Sequence, residues 1–227
     1  MKRETEPFAW GLISSLYYLL FIAVFTQLSC RTPTQYTAGG LRASTTSAFA
    51  AEVHAVCSNR TKGNGSGVLV GGEFVMTAWP VIDCGAGGKV LHVTVRIGAE
   101  TLIGDVVREW RSRDIAKLRV YGLPPRPVVA IASIADGDRL CSASTYPYTR
   151  SVCGPVYTIY DTVCPKLEWC HNANYLGDGP VIPGNSGSGV YNAKGALVAL
   201  VTGGTPVGFP NPIASMTRLW ELREDLQ

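Results

Sequence analysis

A chain of 227 residues that is 46% hydrophobic and only 16% charged can bury a sizeable core, in one or two domains. A net charge of +3 is too small a surplus for a phosphate-rich partner and excludes nucleic acid. With 25 Gly, 14 Pro and many Val-, Thr- and Tyr-rich segments, the composition favours an all-β protein with tight turns.

The N-terminus differs in kind from the rest. Residues 8–28 are 21 positions without a charge, including Leu16-Tyr17-Tyr18-Leu19-Leu20-Phe21-Ile22. As a helix this stretch would span about 30 Å, enough to cross a bilayer. Residues 1–30 are therefore read as an N-terminal transmembrane helix, an anchor or signal segment. Lys2 and Arg3 precede it and only Arg31 follows closely, which keeps the N-terminus cytoplasmic and sends the remainder to an extracytoplasmic or lumenal space. The run is long for a signal-peptide core. Cys30 suggests a lipidation site, but Gln27 stands where such sites carry an aliphatic residue, so an uncleaved anchor is the preferred reading. Residues 31–50 are rich in Thr, Ser, Ala and Gly without apolar periodicity, as a flexible linker would be.

Beyond Cys30 six cysteines remain, Cys57, Cys84, Cys141, Cys153, Cys164 and Cys170, which suits disulfides in an oxidising compartment. Fifteen pairings are open. Proximity along the chain favours Cys57–Cys84, Cys141–Cys153 and Cys164–Cys170. The cysteines include no Cys-x-x-Cys pair, and His54, His92 and His171 are scattered, so neither a metal site nor a cofactor is expected.

From residue 51 the pattern becomes short strands separated by glycine turns. Residues 52–57, 66–70, 74–78, 90–97, 102–108 and 114–120 form a first set. Leu123-Pro124-Pro125-Arg126-Pro127 then interrupts the pattern as a stiff connection would. A second set follows at 139–146, 152–162, 166–169, 188–191, 197–202 and 209–213. The end changes period: Met216, Leu219, Leu222 and Leu226 fall on one helical face with Ser215 as N-cap, predicting a helix over 215–226. The fold class is thus all-β, two six-stranded barrels with a C-terminal helix over residues 51–227, the first barrel at about 51–122 and the second with its helix at 130–227.

Three segments carry a resemblance. Gly65-Ser66-Gly67-Val68-Leu69-Val70 with Phe74-Val75-Met76-Thr77-Ala78, then Asp114-Ile115-Ala116-Lys117-Leu118, then Ile182-Pro183-Gly184-Asn185-Ser186-Gly187-Ser188-Gly189-Val190 resemble the trypsin-like (chymotrypsin-fold) serine peptidases. The HtrA-type branch and similar viral proteases are the nearest in pattern. The resemblance implies acyl transfer, with serine as nucleophile, histidine as base and aspartate as orienting acid. Carried across, Ser186 is the nucleophile, Asp114 the acid, and the backbone N–H groups of Gly184 and Ser186 the oxyanion donors.

The histidine should stand two positions after Ala78, and that position is Pro80. Proline cannot accept a proton. His54 falls in the first strand, His92 inside the fourth, and only His171, in a Cys-flanked loop ahead of Ser186, stays open as a substitute base. The resemblance then implies a catalytically impaired homologue, a pseudoprotease. Its retained cleft would bind an extended peptide or protein segment along Val201, Thr202, Gly203 and Gly204, with Pro180 and Val181 lining an uncharged specificity pocket. The alternatives are an active serine endopeptidase with a non-standard base, or a structural accessory module on a cell or viral membrane.

Overall fold

The computed structural model describes residues 48–124, 127–135, 138–147, 150–158, 173–176, 182–204 and 213–226. The apolar run at 8–28, the linker up to residue 47, the strand expected at 166–169, Cys30, Cys164, Cys170, His171, Pro180 and Val181 lie outside them.

Six strands form the first sheet: β1 (Ala50–Cys57), β2 (Lys62–Gly71), β3 (Phe74–Ala78), β4 (Val90–Ile97), β5 (Glu100–Trp110) and β6 (Ile115–Val120). They close in the order β1-β2-β3-β6-β5-β4 into an antiparallel barrel. Alternation dictates the inside: Val53, Ala55, Val93, Val95 and Leu118 point into one core, while Glu52, His54 and Arg96 point out. A single-turn helix, α1 (Trp79–Ile82), leaves β3 directly, with Pro80 in its first turn, where a missing N–H costs nothing.

The second sheet is β7 (Arg139–Ser144), β8 (Arg150–Thr158), β9 (Ala173–Leu176), β10 (Gly189–Tyr191), β11 (Leu197–Gly204) and β12 (Ile213–Arg218). It closes in the order β10-β11-β12-β9-β8-β7, with β10 and β7 sealing the barrel. Leu140, Val156, Val190, Val198, Val201, Ala214 and Met216 fill its interior. Between the barrels lies a third cluster, built on Val68, Met76, Ile115, Tyr191, Leu197 and Leu200. Burial pushes the Tyr191 phenol far above its ordinary value.

The chain end corrects the expected helix. Residues 215–218 belong to β12, paired with β11 at Val201↔Met216 and Gly203↔Ser215. A 3-10 turn at Trp220–Leu222 and a short helix, α2 (Arg223–Leu226), follow. The apolar spacing from Met216 to Leu226 serves two periods at once. Met216 enters the second barrel as a strand residue, whereas Leu219, Leu222 and Leu226 cap the inter-barrel cluster. Of the strand expected at 209–213 only Ile213, the first residue of β12, is described, and residues 209–212 lie outside the described residues.

Two bridges cross-link the barrels internally, Cys57–Cys84 and Cys141–Cys153, the pairs that proximity favours. The first ties the end of β1 to the segment just after α1. Polar contacts fasten α2 to the first barrel: Arg108 Nη1 lies 2.6 Å from Asp225 Oδ1, and Lys117 Nζ donates to the Asp225 carbonyl at 2.9 Å. Burial, aided by the Arg108 charge, lowers the Lys117 pKa. Among the described residues no helix is long and apolar enough to cross a membrane.

Candidate active site

Three segments converge at the end of β3, where the two barrels meet. The β2 strand presents Ser66 to the loop at 182–188: its N–H donates to the Ser186 carbonyl at 2.8 Å and its hydroxyl to the Gly184 carbonyl at 3.0 Å. Thr77 on β3 donates its hydroxyl to the Ser66 carbonyl at 2.7 Å. Gly187 fits against both, because a Cβ there would lie 1.9 Å from the Ser66 carbonyl oxygen, and its φ of 89° is one that side chains disfavour. The Trp79 N–H, next in line, donates to the Asp114 carbonyl at 2.9 Å. Sequence positions 66, 79, 114 and 186 are thereby brought to one end of the first barrel.

Asp114 sits at the exit of a 3-10 turn (Arg111–Arg113) in the left-handed region, φ 58°, which an aspartate tolerates better than most residues. It is half-buried, and its carboxylate makes no hydrogen bond or ion pair among the described residues. Burial pushes its pKa up to about 6. Pro80 is exposed in the first turn of α1 and offers no proton acceptor. The backbone of this segment is in place without a side chain that could link Asp114 to Ser186.

The loop bearing Ser186 is a hydrogen-bonded double turn. Asn185 N–H donates to the Ile182 carbonyl and Ser188 N–H to the Asn185 carbonyl, each at 3.0 Å, and Gly187 N–H donates to the Val201 carbonyl at 2.7 Å. The buried Asn185 carboxamide ties the loop internally, accepting from Ile182 N–H at 3.0 Å and donating to the Tyr146 carbonyl at 3.4 Å. The N–H groups of Gly184 and Ser186 have no acceptor among the described residues. Gly184 requires its residue type: φ is 99°, and a Cβ would stand 2.4 Å from Cδ1 of the Tyr146 ring.

The proposed binding strand continues from this loop. Val201 is locked, with its N–H donated to the Ser188 carbonyl at 2.9 Å and its side chain in the barrel core. Gly203 and Gly204 pair with β12 on one edge, with Thr202 at the register shift between them and Val201, and the opposite edge of 202–204 carries no partner among the described residues. Gly203 has open space where a Cβ would be. The pocket wall expected from Pro180 and Val181 lies outside the described residues.

His54 is placed by the fold where its spacing gave no hint. It faces outward on β1, with Nε2 2.7 Å from Glu52 Oε1, Nδ1 2.6 Å from Asn64 Oδ1, and its ring edge-on to Tyr146 at 5.4 Å between centroids. Glu52, buried, is also bonded to Arg96. This polar cluster buttresses Tyr146, which in turn packs on Gly184. The register of β1 on β2 and β4, with His54↔Asn64 and Glu52↔Arg96, assembles it, and only alternation on β1 could have hinted at it. His92 lies exposed on β4. Among the described residues no imidazole bonds to Ser186, and no group of three His, Cys, Asp or Glu side chains could hold a metal ion.

Comparison with known proteins follows the same lines. A family model for the trypsin-like peptidase domain matches residues 65–200, more than half of the chain. The chain belongs to the trypsin-like peptidase domain family. Its fold is similar to that of the Rv3671c protease from M. tuberculosis in its active form, at 18% identity, with 81% of each chain covered and a TM-score of 0.63. The inactive form of that protease matches at 19% identity, covering 77% of this chain and 85% of the other, with a TM-score of 0.57. A serine-to-alanine mutant of the M. tuberculosis H37Rv protein, also an inactive form, matches at 19% identity over 83% and 89%, with a TM-score of 0.61. No curated protein matches the sequence.

Proposed function

We propose that this protein is a membrane-anchored, extracytoplasmic trypsin-fold homologue that has lost efficient peptide hydrolysis and acts by binding an extended peptide or protein segment. The observation that carries the reading is Pro80, in the first turn of α1 beside the Asp114 backbone, where the family places its catalytic histidine. Without that base Ser186 is a poor nucleophile. In related serine proteases loss of the histidine costs on the order of 10⁶ in turnover, leaving roughly 10³–10⁴ over water from the oxyanion donors and binding.

Three observations support a retained binding role. Asp114 is held at the end of β3, the loop around Ser186 is bonded to the first barrel through Ser66, and the β11 edge past Val201 carries no partner among the described residues, leaving it able to take an added strand. The apolar run at 8–28 would supply the anchor, and two disulfides suit a domain outside the cytoplasm. A fluorophosphonate probe tests the first half. The expected result is no labelling of Ser186 on the time scale of an active serine protease, while rapid labelling abolished by Ser186→Ala would sink the reading. Extended-peptide binding that survives Ser186→Ala tests the second half.

A further inference from the structure

We propose that the nest formed by the Gly184 and Ser186 N–H groups captures the C-terminal carboxylate of a bound peptide, so that the cleft selects chain ends over internal segments. This rests on the binding role proposed above and adds the identity of the ligand's reading head.

Of the five consecutive amides from Gly184 to Ser188, those of Asn185, Gly187 and Ser188 are consumed by carbonyls of the loop and of β11. The two that alternate with them, Gly184 and Ser186, have no acceptor among the described residues. Alternating free N–H groups on a tight turn form a concave site for an anion. The direction of the Ser186 N–H is fixed from behind. The Asn185 carbonyl accepts both the N–H of Ser188 and its hydroxyl, the latter at 2.6 Å, and the trans peptide therefore aims the Ser186 N–H the opposite way. The Ser66 hydroxyl and N–H hold the carbonyls of Gly184 and Ser186. The Tyr146 ring, buttressed by His54, blocks any relaxation of Gly184 toward it. The Ser186 donor is thus preorganised, and the Gly184 backbone beside it is confined.

Charge decides which acceptor suits it. Asn185, buried between the two donors, is neutral, so no fixed negative charge sits inside the loop. An internal peptide segment would offer the nest a neutral carbonyl oxygen. A chain end offers a carboxylate, whose hydrogen bonds from N–H donors are about twice as strong. In a hydrolytic enzyme, favouring a carboxylate would mean product inhibition. Without a base at position 80 the same preference becomes a recognition mode, with the peptide laid along Thr202, Gly203 and Gly204 and ending at the nest. A partner is therefore a protein or peptide with an exposed C-terminus.

The test uses the full chain in detergent micelles and a fluorescein-labelled apolar pentapeptide ending in leucine, in three forms. These are the free acid, the C-terminal amide, and the same sequence extended by three residues. Fluorescence anisotropy is expected to show the acid binding at least tenfold more tightly than either of the others. Isotope-labelled protein is expected to show the Gly184 and Ser186 amide protons moving downfield only with the acid. Asn185→Asp, which adds a charge beside the nest, should cost the acid at least tenfold more affinity than it costs the amide, and an equal loss for both forms would count against carboxylate capture. Equal binding of acid and amide would overturn carboxylate capture and leave peptide binding standing. No binding of any form would overturn both readings, and cleavage of the extended peptide would overturn the loss of catalysis itself.

Discussion

The α1 segment and the loop at 182–188 meet across the same junction, yet they have kept different things. The loop is held by the bonded amides of Asn185, Gly187 and Ser188, with Gly184 and Gly187 each at a positive φ where a side chain would collide with a neighbour. The α1 segment holds its position through the Trp79 N–H bond to Asp114, and on the reading proposed above it presents Pro80 where a general base would need an imidazole. Geometry and chemistry are therefore separable at this site. A nest of N–H groups depends on how the backbone is folded, and the fold needs that loop to join its two barrels. A general base depends on one side chain that nothing else in the core requires.

The change with the largest expected effect is Pro80→His. If the loop is competent as built, the variant gains at least about 10³-fold in ester or peptide hydrolysis over the parent, within the range a triad histidine supplies. Titration of a chromogenic ester reads this directly, and a variant as inert as the parent would mean that the loop is not competent either. Next is Gly187→Ala, whose Cβ would meet the Ser66 carbonyl and the Thr77 hydroxyl at 1.9 and 2.5 Å. The expected loss is about 3–5 kcal/mol, measured by denaturant unfolding, because backbone rather than a movable side chain stands in the way.

Replacing Cys57 and Cys84 by serine frees the segment after α1, bounded by a sequence separation of 27, and should cost about 3 kcal/mol. Peptide binding at the β11 edge is expected to survive this change under conditions where the domain stays folded, since the bridge touches only the α1 side of the junction.

The smallest effect concerns Asp114. Its folded-state pKa is raised from 3.8 to about 6 by burial. Between those values the folded protein holds a proton that the unfolded chain has released. Stability therefore falls as pH rises through that window, and the penalty is complete above about 6. Asp114→Asn should remove it, raising the melting temperature at pH 7.5 and leaving it unchanged below pH 3.8. Discounted for solvent screening, the gain is on the order of 1 kcal/mol. A histidine restored at position 80 would reverse the sign, because its imidazolium stabilises the charged carboxylate.

The strand pattern, the two nearby disulfides and the segments around Ser66, Asp114 and Ser186 were legible because each rests on local signals: alternation, glycine punctuation and short spacing. The end of the chain reads as one helix because Met216, Leu219, Leu222 and Leu226 satisfy a 3.6-residue period, while pairing with β11 claims residues 214–218 first. β9 escaped notice because Ala173-Asn174-Tyr175-Leu176 carries no β-branched residue to mark it as a strand. The buttress of Glu52, His54, Asn64, Arg96 and Tyr146 was invisible for a different reason. Its members are spread over residues 52–146, and they become neighbours only through strand register and the docking of the β7–β8 connection.

By itself, then, the sequence determined the family, the glycine-flanked turn around Ser186 and the proline at position 80, because those reside in which residue stands at which position. Tertiary structure alone decided that the Gly184 and Ser186 donors find no acceptor among the described residues while their neighbours are consumed. That depends on distances between groups more than a hundred positions apart, such as Ser66 and Ser186, and no local pattern encodes them.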